Sequence, residues 1–182
     1  MSGLQWTLVA LSVLGVSWMV GAYNRLLRLR NRIHQAFSEI DEPLHRRDEL
    51  IVGLLTLLRS QGQHVDSHAM LAVDEASAAV MTAAERLRQQ AADAEAPRKL
   101  TIAEVALQAS LQHVITQVQT VPELRLFPGM LERLAGISEN ERRLRFARQL
   151  FNDAVREYNA ALVQWPTRWL VWWFGLSGAN TI

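Results

Sequence analysis

No cysteine occurs in the chain, which excludes disulfides, iron–sulfur clusters, thiolate zinc sites and a cysteine nucleophile. Lysine is almost as rare: Lys99 stands alone, and every other member of the 19 Lys+Arg is arginine. Charged side chains of either sign are missing ahead of Arg25. With 19 basic against 18 acidic residues the formal charge is +1, so no bulk positive field marks a nucleic-acid binder. Glycine and proline are scarce, at 9 and 5 of 182 residues, and alternating β-branched runs are absent, so strands and hairpins are not expected. A phosphate-cradling glycine loop, a dinucleotide fingerprint and a nucleophile elbow are all lacking. With 49% hydrophobic and 20% charged residues, the chain is neither a disordered polymer nor wholly membrane-embedded.

What is present begins with a greasy N-terminus. Leu4 to Tyr23, LQWTLVALSVLGVSWMVGAY, is an apolar run that Gln5, Thr7, Ser12 and Ser17 dilute without adding charge, and about 20 helical residues cross the roughly 30 Å of a bilayer interior. Arg25, Arg28, Arg30 and Arg32 follow at once and set where the span ends, because an arginine at the bilayer centre costs about 2.5–3.5 kcal/mol. A cleaved signal peptide would carry its basic residues before the apolar core, and would end in a small-x-small site. Neither feature is found. Residues 1–23 are therefore expected to be a retained transmembrane anchor, with the N-terminus outside and the basic side, carrying the bulk of the chain, in the cytoplasm.

The remainder reads as helix. Between about Asn24 and Ser60, Ile33, Phe37, Ile40, Leu44, Ile51, Leu54 and Leu58 recur at steps of four and three, with one gap at Arg47. Nothing between Gly21 and Glu42 stops a helix, so the anchor should run straight into this seam, with a bend and not a break at Pro43. A second helix is expected from about Asp66 to Ala92, on a stripe of Ala69, Val73, Ala76, Val80, Ala83 and Leu87. Asp93–Pro97 reads as a linker, and a third helix to about Thr120 uses Ile102, Val105, Ala109 and Val114. Val121-Pro122 and Phe127-Pro128-Gly129 mark an irregular connection. A fourth helix, about Met130 to Gln164, carries Leu134, Ile137, Glu141, Leu144, Arg148, Phe151, Val155, Tyr158 and Leu162. Short links between amphipathic helices make antiparallel neighbours. The expected fold is all-α: one transmembrane helix continuing into a long antiparallel four-helix bundle over residues 24–164. Residues 165–182 form a Trp-rich end, which the returning fourth helix would deliver close to the membrane. Trp165, Trp169, Trp172 and Trp173 suit the headgroup interface, or they cap the base of the bundle.

Polar residues interrupting the seams are the candidate site. In an antiparallel pair Arg47 falls level with about residue 144, so Arg47 and Glu141 are expected to pair in the interior, while Arg148 reaches toward Asp41 or the surroundings of Asn152. Fixing helix register is the expected use of these three; an activated carboxylate at Glu141 is the alternative. His64 and His68 in HVDSH could share a metal, yet the glutamate of a H-E-x-x-H hydrolase is missing and Asp66 suits a helix cap. No catalytic residue, cofactor or metal site is assigned.

These residues resemble the LemA family of bacterial membrane-anchored proteins. The likeness runs through YNRLLRLRNRI (Tyr23–Ile33), AFSEIDEPLHRRDELI (Ala36–Ile51), VPELR (Val121–Arg125), ENERRLRFARQLFNDAVREYN (Glu139–Asn159), Trp165-Pro166 and Phe174–Leu176. FNDAVREYN is its most specific part. Phe151 and Val121 replace tyrosines of the family pattern, Asp48 an aromatic, Val52-Gly53 a Pro-Asn pair, and Val65 the glutamate after the histidine matched by His64. The resemblance implies a helical bundle facing the cytoplasm from the bacterial inner membrane, and no reaction. Some relatives look like factors that build or remodel internal membranes such as magnetosomes. The expected partners are the lipid bilayer and a protein, either another copy or a different chain.

Overall fold

In the computed structural model, residues 3–60, 65–89, 95–164 and 178–182 are described. Among them are five helices: α1 (Gly3–Ser60), α2 (Ser67–Gln89), α3 (Glu95–Thr120), α4 (Pro122–Arg125) and α5 (Met130–Val163). No described residue is in a strand.

α1 is one unbroken helix that passes through Pro43. Every side chain from Gln5 to Gly21 is exposed, including Trp6, Leu11, Leu14 and Val16. This is a helix long and apolar enough to cross a membrane. Burial starts abruptly at Leu26 and continues with Leu29, Ile33, Phe37, Ile40 and Leu44. The heptad-like seam thus reaches two turns nearer the apolar segment than the spacing from Ile33 suggested. Arg25, Arg28, Arg30 and Arg32 occupy the outer positions of the same turns and stay exposed, since a 100° rotation per residue separates them from the buried leucines.

α5 runs antiparallel to α1. Arg32 pairs with Glu157 at 2.7 Å, Phe37 meets the edge of Phe151 at a centroid distance of 6.2 Å, and Asn140 donates its amide to the Pro43 carbonyl at 2.8 Å. Farther along, Leu50 lies against Gly136 and the Arg133 guanidinium covers Gly53. The last long helix therefore returns to the level at which α1 leaves its apolar segment. α2 and α3 pack chiefly on each other. Asp66 caps α2, its carboxylate accepting from the His68 N–H at 2.9 Å, and its own N–H reaches Gln117 near the end of α3. One cluster of buried apolar side chains draws on all five helices.

Two expectations need correction. α3 starts at Glu95, so Pro97 lies in its first turn and not in a linker, a position where the missing N–H has no intrahelical partner to lose. α3 also buries a stripe that shares only Val114 with the expected one. Ile102 and Val105 are 61% and 63% exposed, whereas Leu100, Leu107, Leu111, Val114 and Val118 are buried. The connection between α3 and α5 holds a short helix, α4, with Pro122 in its opening turn.

Truncating Leu54, which is fully enclosed, is expected to cost about 2–5 kcal/mol of stability. Ile102→Ala and Val105→Ala should each change stability by only about 0.5 kcal/mol. Denaturant unfolding followed by far-UV circular dichroism distinguishes this stripe from the one first expected.

Candidate functional site

Arg47 belongs to the buried seam of α1, and a guanidinium there must be met by acceptors. Its residue is only 4% exposed. The acceptors come from two other helices. Glu104 of α3 takes Arg47 in a fork, Nη2 donating to Oε1 at 2.6 Å and Nη1 to Oε2 at 3.0 Å. Glu141 of α5 accepts from Arg47 Nη1 at 3.2 Å. Arg148, also on α5, donates to Glu104 Oε2 as well. One carboxylate, with 11% of its side chain exposed, thus joins α1, α3 and α5.

The Arg47–Glu141 contact is the pairing expected from antiparallel packing. Arg148 meets Glu104 and not Asp41, and it shares a small pocket with Ile182, the residue that Asn152 holds. Glu104 escapes a reading of the sequence that follows Ile102, Val105 and Ala109, because those residues mark another face of α3. The signal lay in the spacing: Leu100, Glu104, Leu107, Leu111, Val114 and Val118 step by four and three, with one charged member, as Arg47 interrupts the seam of α1. A neighbouring polar contact is of the same kind. Buried Ser77 donates to Asp48 at 2.7 Å, which accounts for an aspartate where the family pattern has an aromatic.

Burial alone would lower the pKa of Arg47, but the hydrogen bonds and charges of Glu104 and Glu141 outweigh it and the net shift is upward. Burial pushes the Glu104 carboxyl up, and Arg47 and Arg148 outweigh that to hold it below the usual range. Both partners are held charged. A carboxylate so committed is a poor proton acceptor, so the arrangement suits holding helices in register better than general-base work. Beside it, a cleft of about 330 Å³ opens between α3 and α5, with Gln108, Gln112, Ser138 and Arg145 on its walls.

The second arrangement is on the lower half of α5. Asn159 exchanges two hydrogen bonds with the backbone of Ala179, donating to its carbonyl at 2.8 Å and accepting from its N–H at 3.0 Å. Asn152 does the same with Ile182, at 2.7 and 2.9 Å. Seven helical residues rise about 10.5 Å, and three extended residues span about 10 Å, so the two carboxamides fit a strand-like tail running antiparallel to α5. The clasp is what the two asparagines of FNDAVREYN do.

The other sequence candidates fall as follows. Arg32 pairs with Glu157, while Arg25, Arg28 and Arg30 lie on the outer surface next to the apolar segment. Trp165, Trp169, Trp172, Trp173 and His64 lie outside the described residues. Among the described residues no group of three or more His, Asp or Glu side chains could hold a metal ion, and Asp66 serves as a helix cap.

An all-helical protein with an exposed apolar helix at one end and polar contacts stitching its long helices defines the class. The chain belongs to the LemA family, whose family model matches residues 36–181. No curated protein matches it.

Glu104→Gln should destabilise the protein by about 3–5 kcal/mol, because two guanidiniums lose their shared counter-charge. Replacing the three together by apolar side chains (Arg47→Met, Glu104→Leu, Arg148→Met) should leave stability unchanged or raise it by up to about 4 kcal/mol. The contribution of Glu104 should be complete above its unfolded pKa of about 4.3 and vanish as pH falls through its lower folded value. The stability gap between the wild type and Glu104→Gln therefore narrows on acidification below about pH 4.3, as chemical denaturation at stepped pH would show.

Proposed function

We propose that the protein is a membrane-anchored, non-enzymatic scaffold or adaptor. α1 and α5 with α2 and α3 close into one antiparallel four-helix bundle held above the bacterial inner membrane, and the bundle organises that membrane or a complex on it. The observation that carries this reading is the continuity of α1. The helix that is exposed and apolar up to Gly21 becomes the central seam of the body from Leu26 without an intervening loop. A body mounted on its anchor in this way holds a fixed orientation to the bilayer. Family membership supports the reading.

In this reading the N-terminus is outside, the bundle is cytoplasmic, and Arg25, Arg28 and Arg30 face anionic headgroups at about 1 kcal/mol per charge. Trp165, Trp169, Trp172 and Trp173 join them at the interface. The partners are lipid and a protein, with no nucleic acid, cofactor or small-molecule substrate. Arg47 stands 22 residues beyond Arg25, about 33 Å along the helix, so the polar cluster serves the bundle and not the lipid.

Two measurements test this. Single cysteines placed at Ser2 and Ser60 of the cysteine-free chain, probed with an impermeant maleimide in intact cells, should label at Ser2 alone; labelling at Ser60 reverses the orientation. Residues 25–182, which retain the whole buried core, should float with anionic phosphatidylglycerol vesicles and lose most of that binding in Trp172→Ala/Trp173→Ala. A truncated chain that ignores vesicles defeats the lipid role.

A further inference from the structure

The clasp on α5 recognises main chain and almost nothing else. The Asn152 and Asn159 side chains make four hydrogen bonds with main-chain atoms of Ala179 and Ile182, donating two and accepting two. Side chains are read at three points. A Cβ on Gly178 would lie 3.1 Å from the Asn159 carboxamide oxygen, which favours a very small residue, and Ala179 and Ile182 are partly buried and pack against the core. The seat also continues past its occupant. The pocket touching Ile182 is walled by Glu104, Gln108 and Arg148, and the same three residues open the cleft of about 330 Å³ farther up α3 and α5. Along α5 the polar positions Ser138, Glu141, Arg145, Arg148, Asn152 and Asn159 keep one face. Its lower part is filled by an extended chain, and its upper part is an open groove with carboxamides from α3.

We propose that this face of α5 is a docking site for an extended segment of a partner protein, read through its backbone, with a small residue opposite Asn159 and an aliphatic residue at the position of Ile182. In this structure residues 178–182 fill the site as a built-in competitor. The partner displaces them and continues into the cleft between α3 and α5. Paired carboxamide–backbone bonds reproduce a strand pairing on a helix surface, so affinity comes from main chain and selectivity from the side chains at positions 178, 179 and 182, as in strand-addition recognition. The tail is tethered, so its effective concentration at the seat is on the order of millimolar, and a competing peptide must reach that range. The proposal rests on the scaffold reading only for the existence of a protein partner.

The test uses the full chain in detergent, with Thr181→Cys, an exposed tail position, carrying a nitroxide spin label. The label should be immobilised at first. Titration with the hexapeptide Ser-Gly-Ala-Asn-Thr-Ile should release it with a midpoint in the low-millimolar range. Ser-Gly-Ala-Gln-Ser-Val should compete within about threefold, and Ser-Trp-Ala-Asn-Thr-Ile should not compete. Asn152→Asp, which keeps the acceptor and loses the donor, should raise the mobile fraction of the label before any peptide is added while the helical spectrum is unchanged. A tail that stays immobile at tens of millimolar peptide overturns the proposal, as does one already mobile and indifferent to Asn152→Asp. Dipolar broadening between labelled copies that disappears on dilution with unlabelled chain would assign the seat to a second copy and overturn the partner assignment. Vesicle flotation does not depend on any of these readouts, so failure of the scaffold's lipid role and failure of the docking site remain distinguishable.

Discussion

A guanidinium removed from water needs counter-charge within reach, and Arg47 obtains it from two helices distant in the chain. Glu104 of α3 grips it through both carboxylate oxygens, Glu141 of α5 adds a third contact, and Arg148 returns to Glu104. Sliding any one of these helices by a residue would move its charge 1.5 Å along the axis and 100° around it, and the contacts would be lost together. Apolar seams alone tolerate such slips by a heptad, or by smaller steps with repacking. The cluster therefore supplies a register that leucines cannot, at a desolvation cost that leaves its net stability small. Phe37 against Phe151, Asn140 on the Pro43 carbonyl and Arg133 over Gly53 all presuppose that same alignment of α1 with α5.

α1 has two halves with opposite surfaces and no joint between them. From Gln5 to Gly21 its side chains are exposed; from Leu26 on an apolar seam turns inward while Arg25, Arg28, Arg30 and Arg32 lie outside. α5 comes back to the same level, with Glu157 on Arg32. The body is consequently supported at its base by two adjacent helices, one of which continues as the apolar rod. Tilt of that rod would be transmitted to the polar cluster as rigid motion, because no loop absorbs it.

The family signature acquires a physical meaning from the tail. Asn152 and Asn159 are spaced so that two turns of helix match three residues of extended backbone, and each asparagine offers one donor and one acceptor on the same planar group. Glutamine would reach farther and lose the planar match, and aspartate would lack the donor. Phe151, standing where relatives carry tyrosine, is buried against Phe37 with no need for a hydroxyl partner. Asp48 has a polar contact of its own, the hydroxyl of Ser77.

Periodicity alone determined a good deal: the helical class, the unbroken course from the apolar segment through Pro43, the seams of α1 and α5, the stripe of α2 and the Arg47–Glu141 pair. All but the last follow from residues on one helix and a fixed turn angle and are local information; the pair needed in addition only the antiparallel order of α1 and α5. α3 was ambiguous because it carries two apolar stripes, Ile102–Val105–Ala109 and Leu100–Leu107–Leu111. Which one is buried depends on the helices it meets. Only the tertiary structure decided that, and with it the place of Glu104, the partner of Arg148 and the clasp of Asn152 and Asn159 on the tail. All of these are encounters between residues tens of positions apart. A pattern along one chain records which side of a helix is greasy; which charge waits across the gap depends on how far apart and at what rotation the helices come to rest.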